Sequence, residues 1–228
     1  SGASADVSAD ELVVESNGNA GISILSGQSN SGSIYFGDAG VNYDGYIAYA
    51  QATRSMTFGT AAGSRMTIDS SGITTFTKSG GGNIRIAETA SRYVEIMGYA
   101  EGSANGSTMA FHTIEAGTST STERMRISYN GNVGIAKTSL ATWSSGYKSL
   151  QVGGRGFVGA HTGSDLYVGQ NASFNSGWKY EASAAASLTQ HSGGKITQFV
   201  AAAGTAGNAI TWNRAIDINP TGEVAMGL

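Results

Sequence analysis

The chain has 228 residues, among them 34 glycines, one proline and no cysteine, and only 13% of its residues are charged. A formal net charge of −3 leaves no basic surplus for phosphates, so nucleic acid is not an expected partner. The lack of cysteine excludes disulfides, thiolate metal sites and cysteine nucleophiles, and no apolar run reaches the roughly 20 residues that cross a bilayer.

Short runs of apolar, β-branched and aromatic residues recur along the chain, and each is bounded by Gly, Asn, Ser or Asp. Such runs predict strands. They lie at residues 12–15, 22–25, 33–36, 46–49, 55–58, 65–69, 83–87, 93–97, 108–114, 124–128, 150–152, 166–168, 195–201 and 215–218. The longest candidate helix, residues 181–190, has little apolar face, so we interpret it as strand or loop. The sequence therefore predicts an all-β fold.

Three segments of the sequence repeat one another: RMTIDSSG at 65–72, RMRISYNG at 124–131 and RAIDINPTG at 214–222, the last with one extra residue after its arginine. In each segment an apolar residue stands two positions before an isoleucine, and a glycine follows four positions after it. This spacing predicts an apolar pair on one strand face and then a tight turn. The repeated scaffold residues are Arg65, Met66, Ile68, Gly72, Arg124, Met125, Ile127, Gly131, Arg214, Ile216, Ile218 and Gly222.

The repeats are unevenly spaced, which predicts three β modules at 1–80, 81–145 and 146–228, the last with a longer insertion. Short hairpins with one apolar face are marginal in water, and their edges invite uncontrolled pairing. Three identical chains wound about one axis would bury these faces and edges. We therefore expect hairpin repeats with variable insertions, arranged as an intertwined homotrimeric fibre or as β-prism or β-sandwich-like modules.

The segments 32–72 and 122–139, the latter reading TERMRISYNGNVGIAKTS, resemble tail-fibre and virion-appendage proteins of tailed phages. In that family, units of the type ERMRID-x-x-GNVGIGT recur, whereas this chain has GIAKTS where GIGTTSP is usual. The resemblance implies an extracellular, trimeric, β-rich virion appendage that attaches to a host, is not an enzyme and needs no cofactor. Its partners would be its own copies, other tail proteins and a host cell-surface glycan or protein.

Three alternatives to the phage fibre stay open on sequence grounds: a glycan-cleaving tail spike, a trimeric bacterial adhesin and a capsid-decorating fibre. A cleaving spike would need paired carboxylates. The pairs Asp38 with Asp44 and Glu88 with Glu95 are candidates, but pairs of this kind are expected by chance among sixteen acids. We therefore predict no catalytic residue.

Two groups of aromatic residues are candidate attachment sites, because exposed Tyr and Trp often contact sugars and proteins. One is Tyr35, Phe36, Tyr43, Tyr46 and Tyr49, and the other is Trp178 with Tyr180. From these groups we take Tyr43, Tyr46, Trp178 and Tyr180 as candidate receptor or glycan contacts. The alternative is that the rings pack on strand faces and trimer seams.

Other sequence motifs favour structural roles. The G-x-G-x-x-G pattern at 154–159 is not followed by a helix, so it predicts a glycine-rich strand or bulge and not a phosphate site. The three histidines, His112, His161 and His191, are too far apart for a metal site within one chain, although a threefold axis could gather one from each copy. The repeated arginines are interpreted as structural, with their stems covering apolar surface.

Overall fold

The structure is a computed structural model, and it describes residues 5–8, 11–78, 81–89, 92–100, 106–118, 120–163 and 165–227, with the side chain of Glu88 excepted. Within these residues the chain forms nineteen strands and no helix, so the predicted all-β class is confirmed. The chain divides into two compact units, Ser1–Lys78 and Ser79–Leu228. The predicted division into three modules stays a prediction.

The first unit is a five-stranded antiparallel meander. Its strands follow each other in space as they do in sequence: β1 (Ser31–Phe36), β2 (Gly45–Ala50), β3 (Ser55–Thr60), β4 (Gly63–Ile68) and β5 (Thr74–Phe76). The strands predicted at 12–15 and 22–25 are wrong. Those residues find no hydrogen-bonding partner strand in the described chain, and Leu12 and Ile22 are mostly exposed.

The second unit contains one sheet of twelve strands and a separate two-stranded hairpin. The first meander of the large sheet is β6 (Gly82–Thr89), β7 (Arg92–Ala100), β8 (Ser107–Ile114), β9 (Ser121–Ile127) and β10 (Val133–Ile135). The second is β11 (Tyr147–Val152), β12 (Gly156–His161), β13 (Leu166–Gln170), β16 (Ala184–Ser192), β17 (Lys195–Gly204), β18 (Asn213–Ile218) and β19 (Val224–Met226). The inserted hairpin is β14 (Ala172–Phe174) with β15 (Trp178–Tyr180).

The two meanders of the large sheet join through β10 and β11, which pair in parallel, whereas every other pair of described neighbours is antiparallel. The predicted module boundary at 145/146 falls in the segment that connects these two strands. Residues 181–190, interpreted as strand or loop, lie largely in β16. The glycine-rich segment at 154–159 forms part of the β11–β12 turn and the start of β12, as expected of a strand that turns a corner.

The three sequence repeats adopt the same hairpin. Each repeat ends a longer strand, turns at its glycine and returns as a strand of three residues, giving the pairs β4–β5, β9–β10 and β18–β19. In each turn the glycine N–H donates to the carbonyl three residues earlier, over 2.8 to 3.0 Å, and the glycine φ lies between +81° and +88°. These glycines are Gly72, Gly131 and Gly222.

Each repeat also carries a β-bulge at one fixed position. Arg65 lacks a direct partner between the pairs Phe58–Met66 and Gly59–Ser64, and Arg124 is bypassed in the same way in β9. In the third repeat the bypassed residue is Ala215, so the extra residue places Arg214 one position earlier. A bulge adds local twist, and the three hairpins therefore share a bend as well as a turn.

The core of the second unit lies between one face of the large sheet and the segments that cross it. Trp143 from the β10–β11 connection packs with Phe157 and Tyr167 of the sheet. The Tyr180 ring of the inserted hairpin lies over Gly204, where a Cβ atom would come within 2.2 Å of that ring. The opposite sheet face carries no such cover in the described chain.

The turn glycines provide a test of the repeated hairpin. At Gly222 a Cβ would meet no atom within 4 Å, so the only cost of Gly222→Ala is its left-handed backbone, and we expect a loss of about 1 kcal/mol in the free energy of unfolding. Chemical denaturation measures this loss. The matched control is Gly154→Ala, which also has open space but no positive φ and should not lose stability. Equal losses at both sites would contradict the shared turn.

Candidate functional site

An apolar face runs along the twelve-stranded sheet and has members on every strand except β16. From β8 to β13, each strand places one apolar residue directly opposite an apolar residue of the next strand. These residues are Met109, Ile127, Val133, Leu150, Val158 and Val168. Further apolar side chains on the same face extend it to both ends of the sheet: Ile84, Ile86, Val94, Ile96, Phe111, Met125, Ile135, Val152, Leu166, Ile196, Val200, Ile216, Ile218, Val224 and Met226. We call this set the apolar face.

No segment among the described residues covers the apolar face, whose members are exposed or half-buried. Its exposed members range from 37% exposure at Ile127 to 75% at Met226. The face spans twelve strands at about 4.8 Å spacing and is therefore roughly 55 Å long, and the one or two apolar side chains on each strand except β16 make it roughly 13 Å deep. The resulting area of roughly 700 Å² exceeds the 300–600 Å² typical of the largest apolar patch on a monomer.

The face is interrupted in one place, on β16 and the adjacent part of β17. Thr189 and His191 of β16 occupy positions where other strands carry apolar residues, and Gln198 of β17 pairs with Thr189. His191 is exposed there, beside Leu166 and Ile196. The three histidines lie apart, and the described residues contain no cluster of three or more metal-ligating His, Asp or Glu side chains.

The first unit has an equivalent row. Ile34, Ile47, Phe58, Met66 and Phe76 stand opposite one another across all five strands of its sheet. The scaffold residues Met66, Met125 and Ile216 therefore occupy the same position in their repeats, although Ile216 stands between Gln198 and Met226, whereas the other two stand between apolar residues. The sequence repeat is thus a repeat of one apolar face, as its period of two predicts.

The other face of the sheets differs from one repeat to the next. The residue that follows Phe58 in β3 is Gly59, paired with Tyr46, and its counterpart in β8 is His112, paired with Glu95. In β17 the counterpart is Phe199, paired with Leu188. At this position one repeat therefore pairs glycine with tyrosine, one pairs histidine with glutamate, and one pairs phenylalanine with leucine. The scaffold is repeated, whereas the chemistry of the second face is not.

The charged repeat buries Glu95, whose side chain is 5% exposed. Its Oε1 accepts hydrogen bonds from Arg85 Nε at 2.8 Å and Asn83 Nδ2 at 2.9 Å, and its Oε2 accepts one from Ser121 Oγ at 3.3 Å. Burial alone would raise the pKa of Glu95, but the Arg85 guanidinium and these hydrogen bonds lower it below its ordinary value. The carboxylate is a structural anion, held in its charged form.

A second charged group lies on the same face. Glu123 receives two hydrogen bonds from Arg126, at 2.7 and 2.8 Å, and Arg126 also donates to the Tyr99 hydroxyl. His112 Nε2 lies 3.9 Å from Glu123 Oε2. Of the candidate acids, Glu95 lies on this charged face, where it stands opposite His112, and the side chain of Glu88 lies outside the described residues. Asp38 lies in an exposed turn of the first unit, where hydrogen bonds from the backbone N–H groups of Val41 and Gly40 lower its pKa.

The repeated arginines make contacts within the chain. Arg65 Nε donates to Thr60 Oγ1 over 3.1 Å, and Arg124 Nε donates to Thr113 Oγ1 over 2.9 Å, so both guanidinium groups reach back across the bulge. Arg214 instead pairs with Asp217 over 3.2 Å. These contacts favour the structural interpretation over anion binding.

The four candidate receptor contacts fall in different environments. Tyr43 is 48% exposed, and it lies beside Tyr35 with a ring-centroid distance of 6.3 Å. Tyr46 is half-buried, with its ring over Gly59 and 6.5 Å from that of Tyr35. Together these tyrosines form an open aromatic surface on the side opposite the apolar row. Receptor contact here stays a prediction.

Trp178 and Tyr180 lie in the core of the second unit. The Trp178 ring lies 5.1 to 6.1 Å, between centroids, from five other aromatic rings: Trp143, Phe157, Tyr167, Phe174 and Trp212. Tyr180 is 8% exposed, and its hydroxyl donates to the Ala202 carbonyl over 2.7 Å. Sequence reasoning missed this cluster, because Trp143 and Trp212 reach it from irregular segments.

Comparison with known proteins gives no family: no protein-family model matches the chain, and neither does any curated protein. Within the residues that the structure describes, no helix is long and apolar enough to cross a membrane.

The Glu95 site predicts a pH dependence of stability. Because its pKa in the folded chain lies below the unfolded value of about 4.3, its contribution is present above that pH and is lost as the pH falls through the folded-state pKa. We expect the denaturation midpoint to fall between pH 5 and pH 3 by less in Glu95→Gln than in the unmodified chain. A parallel fall in both would contradict the buried-anion assignment. These two pH values lie on either side of about 4.3, the pKa of the Glu95 carboxyl in the unfolded chain.

The aromatic cluster predicts where a large stability loss will occur. Trp178→Ala removes the ring that touches five others and should lower the free energy of unfolding by about 3 kcal/mol, through lost burial and the cavity left behind. Tyr43→Ala, at an exposed ring, should cost less than about 1 kcal/mol. Urea denaturation followed by tryptophan fluorescence compares the two. Similar losses would show that Trp178 is not central to the core.

Proposed function

We propose that this chain is a segment of a homotrimeric tail fibre of a bacteriophage, with a structural role and a role in host attachment. The observation that carries the proposal is the apolar face, which repeats with the sequence motif and has no cover within the described chain. The phage origin and the extracellular place on the virion rest on the sequence resemblance.

The partner of the apolar face is proposed to be the same face of other copies. An uncovered strip of roughly 700 Å² is close to the 800 Å² that each partner contributes to a standard stable interface. Its members are Ile, Val, Leu, Met and Phe side chains, interrupted by Thr189, His191 and Gln198, and a face with few charges suits a self-complementary interface. The absence of cysteine means that such a fibre would depend on packing and association for its durability.

The shape of the apolar face favours three copies over two. It is long across the strands and short along them, since each strand contributes at most two apolar side chains. Two sheets stacked face to face would bury a broad area along each strand. Three sheets arranged as the sides of a triangular prism would each bury only a narrow strip, which faces inward and runs parallel to the prism axis. The strands would then lie perpendicular to the fibre axis.

In this arrangement the opposite face of each sheet points outward. That face varies between repeats, with an exposed tyrosine surface around Tyr35 and Tyr43 in the first and charged groups around Glu95 in the second. The outward face would meet a host cell-surface glycan or protein, and the fibre ends would meet other tail proteins. Three equivalent weak sites per fibre raise the effective affinity by multivalency.

The proposal predicts a specific loss of association. The chain, of 23.2 kDa, should have three times that mass by light scattering, and Val168→Lys should weaken assembly at least about a hundredfold, because three ammonium groups would be buried together. Tyr129→Lys is the control, since Tyr129 is exposed in a turn outside the apolar face. We expect it to stay trimeric.

A chain that is monomeric at all concentrations would contradict the proposed trimer. A trimer whose assembly is unchanged by Val168→Lys would contradict the proposal that the apolar face is the interface between copies.

Attachment is tested by the adsorption of fluorescent chain to a panel of bacterial species. Adsorption that depends on the trimer, and is lost in Val168→Lys, supports the attachment role, whereas adsorption to no species argues for a purely structural segment.

A further inference from the structure

The second unit carries an elaboration that the repeated scaffold does not need. The hairpin β14–β15 and the segment 137–142 sit on the sheet face opposite the apolar face and form a cleft of about 580 Å³ between them. This volume lies within the range of small-ligand sites. The polar side chains that line it are those of Lys137, Ser139, Thr142, Ser173, Asn175, Lys179 and Glu181.

The hairpin that contributes Ser173 and Lys179 to the cleft is tied to the next strand by a buried side chain next to the lining. Asn171, 1% exposed, donates from Nδ2 to the carbonyls of Ala182, Ala184 and Ala185 over 2.9 to 3.1 Å. Its Oδ1 accepts from the N–H of Ala182 over 2.8 Å. The side chain therefore ties the start of the hairpin to the strand that follows it, and a fixed wall reduces the ordering cost of binding.

The charges in the cleft are unequal. Lys137 Nζ lies 2.5 Å from Glu181 Oε2, with both side chains only about one-tenth exposed, so these two neutralise each other. Lys179 lies in the same lining and makes no ion pair with an acidic side chain of the described chain. The cleft thus keeps one positive charge in excess, in a protein whose formal net charge is −3.

We propose that this cleft binds a carboxylate-bearing saccharide, with Lys179 donating to the sugar carboxylate. The hydroxyl and amide groups of Ser173, Thr142 and Asn175 suit sugar hydroxyls, because they both donate and accept hydrogen bonds. Leu140 and Tyr180 add an apolar part to the lining, which suits the C–H face of a sugar ring. A polyphosphate carries several negative charges, which one surplus positive charge would not balance. This inference rests on the proposed attachment function and states the class of ligand that the chain would bind.

The test is titration of the full chain with glucuronic acid and N-acetylneuraminic acid, followed by NMR, with glucose and acetate as comparisons. The two acidic sugars should bind more tightly than either comparison. Lys179→Gln should weaken their binding about tenfold, through loss of a charge-assisted hydrogen bond, and Lys179→Arg should retain part of it. Glu181→Gln should instead tighten binding, because it frees the Lys137 charge.

Lys195→Gln is the matched control, since Lys195 begins β17 at an exposed position outside the cleft lining. Binding unchanged in Lys179→Gln, or weakened equally in Lys195→Gln, would overturn the assignment. Acetate binding as tightly as the sugars would overturn the saccharide class. The mass of each sample is measured in parallel: a trimer without sugar binding refutes the cleft alone, and a monomer that binds refutes the trimer alone.

Discussion

The strict alternation of side chains along short strands is the constraint on which this molecule depends. Because every second residue of the repeated motif is apolar, hydrogen-bonding the strands edge to edge lines up those residues into one continuous face. Within the described residues, no segment covers the apolar face of the large sheet. The meander therefore satisfies the backbone hydrogen bonds and leaves the apolar face exposed, which is why we propose that other copies of the chain bury it.

The two faces of the sheet obey different rules as a result. The apolar face keeps the same kind of residue at Met66, Met125 and Ile216, and its bulge and turn recur with it. The second face carries tyrosines in one repeat, a buried glutamate paired with a partly exposed arginine in the next, and a covering hairpin in the third. The apolar face thus keeps its residue class from repeat to repeat, whereas the second face varies, and in the second unit it also holds the aromatic core around Trp178.

Sequence reasoning predicted what depends on local pattern and failed where long-range packing decides. The strands at 108–114 and 195–201 and the turn at Gly131 follow from alternation and turn residues, and the structure confirms them. The three-residue strands β5, β10 and β19 are too short to carry a period. The aromatic cluster around Trp178 could not be predicted, because two of its members come from segments without regular structure. Trp178 follows a polar segment in the sequence but lies in the core, and the residues next to it in the sequence do not indicate this burial.

The parallel junction between β10 and β11 has a consequence for how such chains grow. Each meander begins and ends on an edge strand, and the junction joins the edge of one to the edge of the next through only three residues. A further meander inserted at this joint would leave both existing sets of strand pairs intact. Duplication or recombination of whole segments at this joint could therefore change the number of strands, provided that the new neighbours restore the buried hydrogen bonds from Ser149 to Asn132 and the packing of Trp143.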